Sequence, residues 1–319
     1  MSRVAIVTLA DDLHAYVIRR QLREDYDLDA AIVPADRLSG AGGLAWSNVE
    51  GPDAVLPTEE GGTVAVRGLE LVWWRRCHGR PAVPEEVIDP QMRELVVKDC
   101  RAALRGVLLA GFTGAWISDP YATERAQNKL LQLNLAQAIG LRVPRTLVSS
   151  DPAAVRAFAQ AHGGTVIAKT VTGLLGTALQ AGRVTAEGLS DDAEIMVAPT
   201  IYQEEIAGTD HLRVMVFGDR VHAARIRSLE LDWRLANDMA IEPVPLEQGL
   251  QDALRVMTRR LGLRMGVFDL KVRPDGEPVF LEVNPQGQFL FVEGMSDLPL
   301  GKAFAEFVAA ELTAATVRA

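Results

Sequence analysis

The chain has 319 residues, of which 48% are hydrophobic and 24% are charged, and its formal net charge is −9. A chain of this length and composition can bury a substantial core, which excludes an intrinsically disordered protein. The acidic balance argues against general binding of nucleic acid or of anionic membranes, because both need a basic surface. Two cysteines, Cys77 and Cys100, cannot build a disulfide framework and favour a reducing cytoplasm. The longest nearly uncharged apolar run, residues 106–117, is too short to span a bilayer.

Residues 1–116 predict an α/β domain, in which short apolar runs alternate with a helical spacing of apolar residues. Gly, Pro and Asp interrupt this pattern and predict a loop with at most short strands. In chain order we expect a strand at 4–9, a helix at 13–23, a strand at 30–33, a loop at 39–62, a strand at 69–74 and a helix at 90–111.

Residues 117–200 predict a central subdomain and residues 201–319 a C-terminal one. The C-terminal part is of mixed α+β character, with hairpin signals at 218–219 and 274–276. In the central part we expect a helix at 121–139, a strand at 144–148, a helix ending at 162 and a strand at 165–169. In the C-terminal part we expect strands at 212–217, 220–227, 266–272 and 278–283, and a helix at 250–261.

Two carboxylates and an amide near the C-terminus predict a cation site. Glu282 and Asn284 are two residues apart on an expected strand, so they share one face. If the Asp-Gly dipeptide before this strand forms a two-residue turn, Asp269 lies opposite Glu282, and Lys271 lies opposite Phe280. A three-residue loop would shift this pairing. The all-oxygen set suits Mg²⁺, and an ordinary solvated sheet face is the alternative.

Only five of the 33 basic residues are lysines, so the positions that keep Lys are of interest. Lys169 ends an expected buried strand, just before a Gly-containing loop at 172–177, and Lys129 lies beside Asn128 inside an expected helix. An ammonium beside Gly-rich backbone suits a phosphate oxygen. For each lysine taken alone, a surface salt bridge is the alternative.

The polar segment Gln203-Glu204-Glu205-Ile206 is a candidate hinge that contacts a base and a ribose, or else a polar strand end. Arg213 and Arg225 lie on successive expected strands, and a turn between them places Arg213 close to Ala224 and Arg225. Two such arginines repel each other unless an anion lies between them. An anionic ligand is therefore predicted, unless acidic neighbours such as Asp210 or Glu204 neutralise them.

In this order, these features resemble the ATP-grasp superfamily over residues 118–319. In detail the chain resembles the graspetide maturases, the microviridin-type macrocyclases of ribosomal peptides. The stretches that carry the resemblance are Trp74-Arg75-Arg76, residues 128–133 with 140–146, Asp232-Trp233-Arg234 and residues 281–288. The resemblance implies an ATP-grasp fold, of α+β and α/β type, with a pre-ATP-grasp α/β domain at its N-terminus.

The resemblance also implies the reaction. ATP would phosphorylate an Asp or Glu side chain of a precursor peptide, and a Ser or Thr hydroxyl or a Lys amine of that peptide would then close an ester or amide ring. Lys129 and Lys169 would hold phosphates of ATP. Mg²⁺ would be held by Asp269, Glu282 and Asn284, and the γ-phosphate and acyl phosphate would contact Arg213 and Arg225. The adenine would contact the segment Gln203, Glu204, Glu205 and Ile206. The peptide side chains would be oriented by Asp232 and Arg234.

The chain departs from the family in two places. Two residues before the first Arg the family has an acidic residue, where this chain has His211, and Asp210 would take its place at the ribose. The loop at 172–177 contains only Gly173 and Gly176. The expected partners are a precursor peptide with leader and core and, as is common in this group, a second copy of the chain.

Two alternative functions remain. One is a ligase that adds free amino acids to a carboxylate, and the other is a non-catalytic protein that binds a nucleotide or a leader peptide. The complete set of Asp269, Glu282, Asn284 and both lysines counts against the non-catalytic alternative.

Overall fold

A computed structural model of the chain describes residues 2–40, 42–49, 54–77, 79, 81–172, 181–185, 187–235 and 239–318. The α-helices are α1 Leu13–Tyr26, α2 Pro90–Gly111, α3 Pro120–Ala126, α4 Lys129–Ala138, α5 Pro152–Ala161, α6 Asp192–Met196, α7 Gln248–Arg260, α8 Leu290–Met295 and α9 Leu300–Arg318. The strands are β1 Val4–Thr8, β2 Ala30–Pro34, β3 Val55–Pro57, β4 Thr63–Ala65, β5 Leu71–Trp74, β6 Ala115–Ile117, β7 Thr146–Ser149, β8 Thr165–Lys169, β9 Gly182–Thr185, β10 Thr200–Gln203, β11 Asp210–Phe217, β12 Arg220–Arg227, β13 Ala240–Pro243, β14 Met265–Val272 and β15 Pro278–Asn284. Among the described helices, none is long and apolar enough to cross a membrane.

The chain divides into two compact units. The first comprises Met1–Thr123, Gly262–Met265 and Pro299–Ala319, and the second comprises Glu124–Leu261 and Gly266–Leu298. The C-terminal residues from Pro299 onward therefore lie in the first unit, whereas the sequence analysis grouped them with the C-terminal subdomain. The predicted boundary at residue 200 divides the second unit further and stays a prediction.

A parallel sheet of order β2-β1-β5-β6 forms the centre of the first unit. Its strands β1, β2 and β5 are buried along their whole length, as expected for a parallel sheet covered on both faces. Asp12 and Asp89 cap the first turns of α1 and α2 through their side chains, which is why both helices begin where the sequence predicts.

Arg75 of the Trp-Arg-Arg stretch is buried and forms an ion pair with Asp12 within this unit. Its Nε donates a hydrogen bond of 2.6 Å to Asp12 Oδ2, and the same oxygen accepts one of 2.6 Å from the hydroxyl of Thr8. Because Thr8 ends β1 and Asp12 caps α1, the ion pair fixes the carboxyl end of the sheet. Burial lowers the pKa of the nearby His14 to about 3, so its imidazole is neutral.

The sequence analysis did not anticipate α9, which packs in the first unit. The ring of Phe304 on α9 lies 4.5 Å from that of Trp73 on β5, measured between centroids. Residues on several sides of this helix are buried, including Ala303, Phe304, Ala305, Phe307, Val308 and Leu312. Such a helix has no clear polar face, so its amphipathic signal is weak.

The second unit contains two sheets, of order β7-β10-β8-β9 and β13-β12-β11-β14-β15. Every pairing in the first of them is antiparallel, as are β11–β12, β12–β13 and β14–β15 in the other. The single helix predicted over 121–139 is wrong, because the chain breaks between α3 and α4. The side-chain oxygen of Asn128 accepts a 3.0 Å hydrogen bond from the backbone N–H of Leu131, so Asn128 caps a new helix and Lys129 is its first residue.

The hairpin of β14 and β15 confirms one predicted pairing and corrects the other. Asp269 lies opposite Glu282 as predicted, but Lys271 pairs with Val279 and not with Phe280. The connection is a three-residue loop closed by Arg273, and its last residue is a glycine with φ +89°. A bulge between these pairs then restores the register, with Leu281 as the extra residue on β15. The predicted carboxylate pair thus forms because two irregularities cancel.

Candidate active site

A cavity of about 350 Å³ in the second unit collects most of the residues that the sequence analysis singled out. Both sheets of the unit contribute to its walls, together with the start of α4 and the Leu231–Arg234 segment. The predicted site residues that line it are Lys129, Lys169, Gln203, Glu204, Ile206, Asp232, Arg234, Asp269 and Glu282. Pro144, Ile167, Ala181, His211, Leu231, Trp233, Lys271 and Leu281 complete the lining.

Two ammonium groups lie at one part of this cavity. Lys169 is the last residue of β8, and burial lowers its pKa to about 8, opposed by the charge of Glu282 and assisted by that of Lys129. Lys129 Nζ donates a 3.1 Å hydrogen bond to the backbone oxygen of Thr170. Cations held partly out of water attract an anionic ligand strongly. The predicted glycines of the adjoining loop, Gly173 and Gly176, lie outside the described residues.

The predicted hinge segment begins at Gln203, the last residue of β10, and its side chains have different partners. Gln203 is fully buried, its amide nitrogen donates to the hydroxyl of Thr146 at 2.8 Å, and its Oε1 has no partner among the described residues. Glu204 accepts a 2.9 Å hydrogen bond from the backbone N–H of Arg145. Glu205 instead receives two 2.7 Å hydrogen bonds from Arg183, which lower its pKa.

Asp269, Glu282 and Asn284 share one face of the β14–β15 hairpin, because Asp269 pairs with Glu282 and Val267 pairs with Asn284. Burial raises the pKa of Asp269, and its Oδ1 has no partner among the described residues. A buried carboxylate oxygen without a donor suits a hard cation, and the all-oxygen set fits Mg²⁺. No group of three or more His, Cys, Asp or Glu suited to a metal occurs in the described part of the chain, so a cation here needs the amide and ligand oxygens.

Arg213 holds the other oxygen of Asp269. Its Nη1 donates to Asp269 Oδ2 at 2.7 Å, and its Nη2 donates to the backbone oxygen of Gln288 at 2.8 Å. The rings of Trp233 and Phe291 stack 5.5 Å apart, and the guanidinium carbon lies 5.9 and 5.8 Å from their centroids. Two aromatic faces and an ion pair fix this buried cation in one orientation.

Asp232 and Arg234 form a close ion pair across one residue, with hydrogen bonds of 2.6–3.1 Å from the guanidinium to both carboxylate oxygens. Burial opposes ionisation of Asp232, but the hydrogen bonds from Arg234 outweigh it and lower its pKa. The pair therefore brings a carboxylate and a guanidinium, both charged at neutral pH, to the cavity wall.

The predicted proximity of Arg213 and Arg225 is wrong. Arg213 pairs with Ala224 as expected, but Arg225 pairs with Leu212, so the two arginines point to opposite faces of the sheet. Arg225 lines a separate cavity of about 480 Å³ together with Asp210, and their charged groups lie 3.5 Å apart. Neither side chain lines the cavity that holds Lys169 and Asp269.

His211 is the residue of β11 that reaches this cavity in place of Asp210. It is buried, burial lowers its pKa to about 4, and its Nε2 has no partner among the described residues. The sequence analysis treated His211 only as a departure. Strand alternation was the available signal, because His211 and Arg213 are two residues apart and share a face.

Gln132 is a further residue that the sequence analysis missed. Its amide bonds the backbone N–H and oxygen of Val283 at 2.9 and 2.8 Å and the backbone oxygen of Ala126 at 2.7 Å. Because it lies on α4 and Val283 lies between Glu282 and Asn284, it ties the helix that begins with Lys129 to the strand that carries the acidic residues.

The two sheets and the cavity with its lysines, acidic pair and arginine, together with the likeness to solved structures given next, define the class: the chain has the fold of the ATP-grasp ligases. No family model and no curated protein matches the sequence. Solved structures match over nearly the whole chain. The macrocyclase MdnC of Microcystis aeruginosa MRC, solved with its precursor peptide MdnA, is 26% identical, with 97% of this chain and 99% of that chain covered and a TM-score of 0.86.

Two further structures support the same fold. The macrocyclase MdnB, also of Microcystis aeruginosa MRC, is 26% identical over 97% of this chain and 99% of that chain, with a TM-score of 0.80. A ribosomal-peptide-associated ATP-grasp ligase of Chryseobacterium gregarium, solved with ADP and with leader and core peptides, has a TM-score of 0.86 over 98% of this chain and 97% of that chain. It is 22% identical, so this likeness concerns the fold alone.

Proposed function

We propose that the chain is an ATP-dependent peptide macrocyclase that phosphorylates Asp or Glu side chains of a ribosomally made precursor peptide. A Thr or Ser hydroxyl or a Lys amine of the same peptide then closes an ester or amide ring, with release of ADP and phosphate. The observation that carries the proposal is one cavity in which Lys169, the Asp269–Glu282 pair and the Asp232–Arg234 pair meet. The likeness to macrocyclases at 26% identity over almost the whole chain supports the substrate class.

In this proposal Lys129 and Lys169 bind phosphate oxygens of ATP, and Gln203, Glu204 and Ile206 bind the adenine. His211 faces the cavity where Asp210 was expected, so we assign the ribose contact to His211. Glu205 is held by Arg183, and it supports the hinge from outside the adenine site.

Asp269, Glu282 and Asn284 would hold Mg²⁺, which neutralises charge on the transferred phosphoryl group when bound. Arg213, fixed against Asp269, adds positive charge beside the same group. The role predicted for Arg225 at the phosphates has no support from its position on the opposite face.

The peptide side chains meet Asp232 and Arg234. The Arg234 guanidinium orients the carboxylate that attacks the γ-phosphorus of ATP, and ADP leaves. In the second step the hydroxyl or amine attacks the acyl phosphate carbon, phosphate leaves with the bonding pair, and Asp232 accepts the proton of the nucleophile. No covalent bond to the protein is needed, so catalysis rests on positioning and on charge.

We also propose that the enzyme is a homodimer that acts in the cytoplasm. ATP and Mg²⁺ are available there, and the free thiols Cys77 and Cys100 stay reduced. The precursor peptide is expected to bring a leader segment for binding and a core segment for reaction.

The test is incubation of the purified protein with ATP, Mg²⁺ and the peptide encoded by a short reading frame beside its gene. We expect mass spectrometry to show loss of one water per ring, with equimolar ADP. Asp269→Asn is the matched inactive control.

The alternatives give different results in the same assay. Addition of free amino acids would increase the peptide mass and consume a supplied amine, which would point to a carboxylate–amine ligase. Nucleotide binding without ADP formation, for every peptide tried, would point to a non-catalytic binding protein. Either result would overturn the macrocyclase proposal.

A further inference from the structure

Gln203 presents a buried hydrogen-bond acceptor at the wall of the cavity. The residue ends β10, is fully buried and contributes to the cavity lining. Its Oε1 has no hydrogen-bond partner among the described residues. A buried oxygen without a donor is unfavourable unless a ligand supplies one. The wall at this point therefore fits a ligand group that donates a hydrogen bond.

Thr146 determines which end of the Gln203 amide points away from it. The Thr146 hydroxyl donates a hydrogen bond of 2.9 Å to the backbone oxygen of Pro144, which can only accept. The single hydroxyl proton is thereby used, so the Thr146 oxygen can only accept from Gln203. The amide atom that lies 2.8 Å from it must be the nitrogen, and the amide oxygen is turned away. The direction of this amide thus follows from the hydrogen bonds around it.

The apolar residues around Gln203 suit a flat aromatic ring. Ile167 lies opposite Gln203 on β8, and Pro144, Ile206 and Leu281 line the same cavity. The proposed function places the base of ATP here, because the lysines and carboxylates elsewhere in the cavity are assigned to the phosphates and Mg²⁺. Purine bases differ at position 6, where adenine carries an amino group that donates and guanine or hypoxanthine carries an oxygen that accepts.

We propose that Thr146 sets the base specificity of this site: it holds the Gln203 oxygen toward the base, so that a 6-amino purine binds in preference to a 6-oxo purine. The inference rests on the proposed function, which supplies the nucleotide. Thr146 is a positioning residue in this scheme, since it acts on the base through Gln203. A 6-oxo purine would place its oxygen against that of Gln203, and two acceptors cannot bond each other.

The expected preference follows from what the site must give up to admit the wrong base. Turning the Gln203 amide over would bring its oxygen to the Thr146 hydroxyl, which would then donate to Gln203 and no longer to Pro144. The backbone oxygen of Pro144, a buried residue, would lose its donor. Leaving one such group unpaired corresponds to about 10- to 100-fold in affinity, and this is the preference that we expect.

The test compares the dissociation constants of ADP and IDP with Mg²⁺ present, measured by calorimetric titration of the purified protein. IDP is ADP with the 6-amino group replaced by oxygen, and the wild type should bind it about 10- to 100-fold more weakly. Thr146→Val keeps the shape of the side chain without the hydroxyl and leaves the amide free to turn, so the preference should fall to about threefold or less. Thr146→Ser keeps the hydroxyl and should restore the preference.

A matched control lies at the other end of β10, where the hydroxyl of Thr200 donates to the backbone oxygen of Ala198. Thr200→Val should keep the wild-type preference. A purely structural role of Thr146 would weaken ADP and IDP alike, so the ratio of the two dissociation constants is the measurement that decides. Equal binding of ADP and IDP by the wild type, or an unchanged preference in Thr146→Val, would overturn the proposal and leave the ligase activity standing. Binding of neither nucleotide would overturn the proposed function together with it.

Discussion

The partly buried ammonium of Lys169 makes nucleotide binding depend on pH. Burial lowers its pKa from 10.5 to about 8, with Glu282 opposing and Lys129 assisting the change. Phosphate oxygens beside the ammonium favour its charged form, so nucleotide binding raises this pKa again and takes up a proton at alkaline pH. Affinity should therefore fall as the pH rises through 8.

The magnitude follows from the two pKa values. About nine tenths of Lys169 is charged at pH 7 and about one tenth at pH 9, so the dissociation constant should rise about tenfold between them. The pKa of Lys169 is lower in the folded state than in the unfolded state, so its charge destabilises the fold below pH 8. This destabilisation decreases as the pH rises and is absent above 10.5. Lys169→Met should therefore be more stable at pH 7, by at most about 3 kcal/mol because the side chain keeps part of its hydration.

The assay is calorimetric titration with Mg²⁺ and adenylyl imidodiphosphate, which is not hydrolysed, at pH 7 and pH 9. Lys169→Arg is the matched control, because a guanidinium stays charged throughout and its affinity should change less than twofold. Equal wild-type affinity at both pH values would refute the reasoning, and so would the same tenfold loss in the Arg variant.

Other substitutions test the acidic pair, the residue proposed to contact the peptide, and the hydrogen bonds by which Gln132 joins α4 to β15. Asp269→Asn should abolish ADP formation while the thermal unfolding transition stays cooperative, and full activity would exclude Asp269 as a metal ligand. Asp232→Asn should lower kcat by about 10²-fold or more with the KM for ATP within twofold, since it removes the proton acceptor and weakens the hold on Arg234 but leaves the nucleotide contacts in place; a raised KM for ATP alone would place Asp232 at the nucleotide. Gln132→Leu should lower the free energy of unfolding by about 2–4 kcal/mol in urea, because it leaves backbone groups of Val283 unpaired. The exposed Gln137→Leu on the same helix is its control, and equal losses for both would contradict the argument.

Local signals predicted those elements whose ends are set by adjacent residues. The strands β8 and β12 and the helix α2 have the predicted bounds, and Asp89 with Pro90 determines where α2 starts. The break before α4 depends on one Asn side chain, which stands in an otherwise continuous helical pattern. A capping Asn and an ordinary exposed Asn look alike in sequence, so this break could not be predicted from periodicity.

The candidate site was predicted in part, and its errors have a geometric cause. The acidic pair was predicted from a two-residue turn, whereas the hairpin has a three-residue loop, and the pair forms because the bulge shifts the register back. For Arg213 and Arg225 the register was correct, but adjacent positions on paired strands point to opposite faces. Alternation along β11 groups His211 with Arg213 on one face, but which face of the strand meets the cavity depends on packing against other elements, which the sequence does not show.

The bulge of the β14–β15 hairpin determines which face of the sheet carries Glu282. If the ladder continued unbroken from the three-residue loop, Asp269 would lie opposite Leu281, and Glu282 would point to the far face, since side chains alternate with each residue. Loss of Leu281 would nevertheless be tolerated, because Glu282 would then follow Phe280 directly and again lie opposite Asp269. Loss of a loop residue would leave the same pairs in place, so we expect length changes at the loop and at the bulge to be independent of each other.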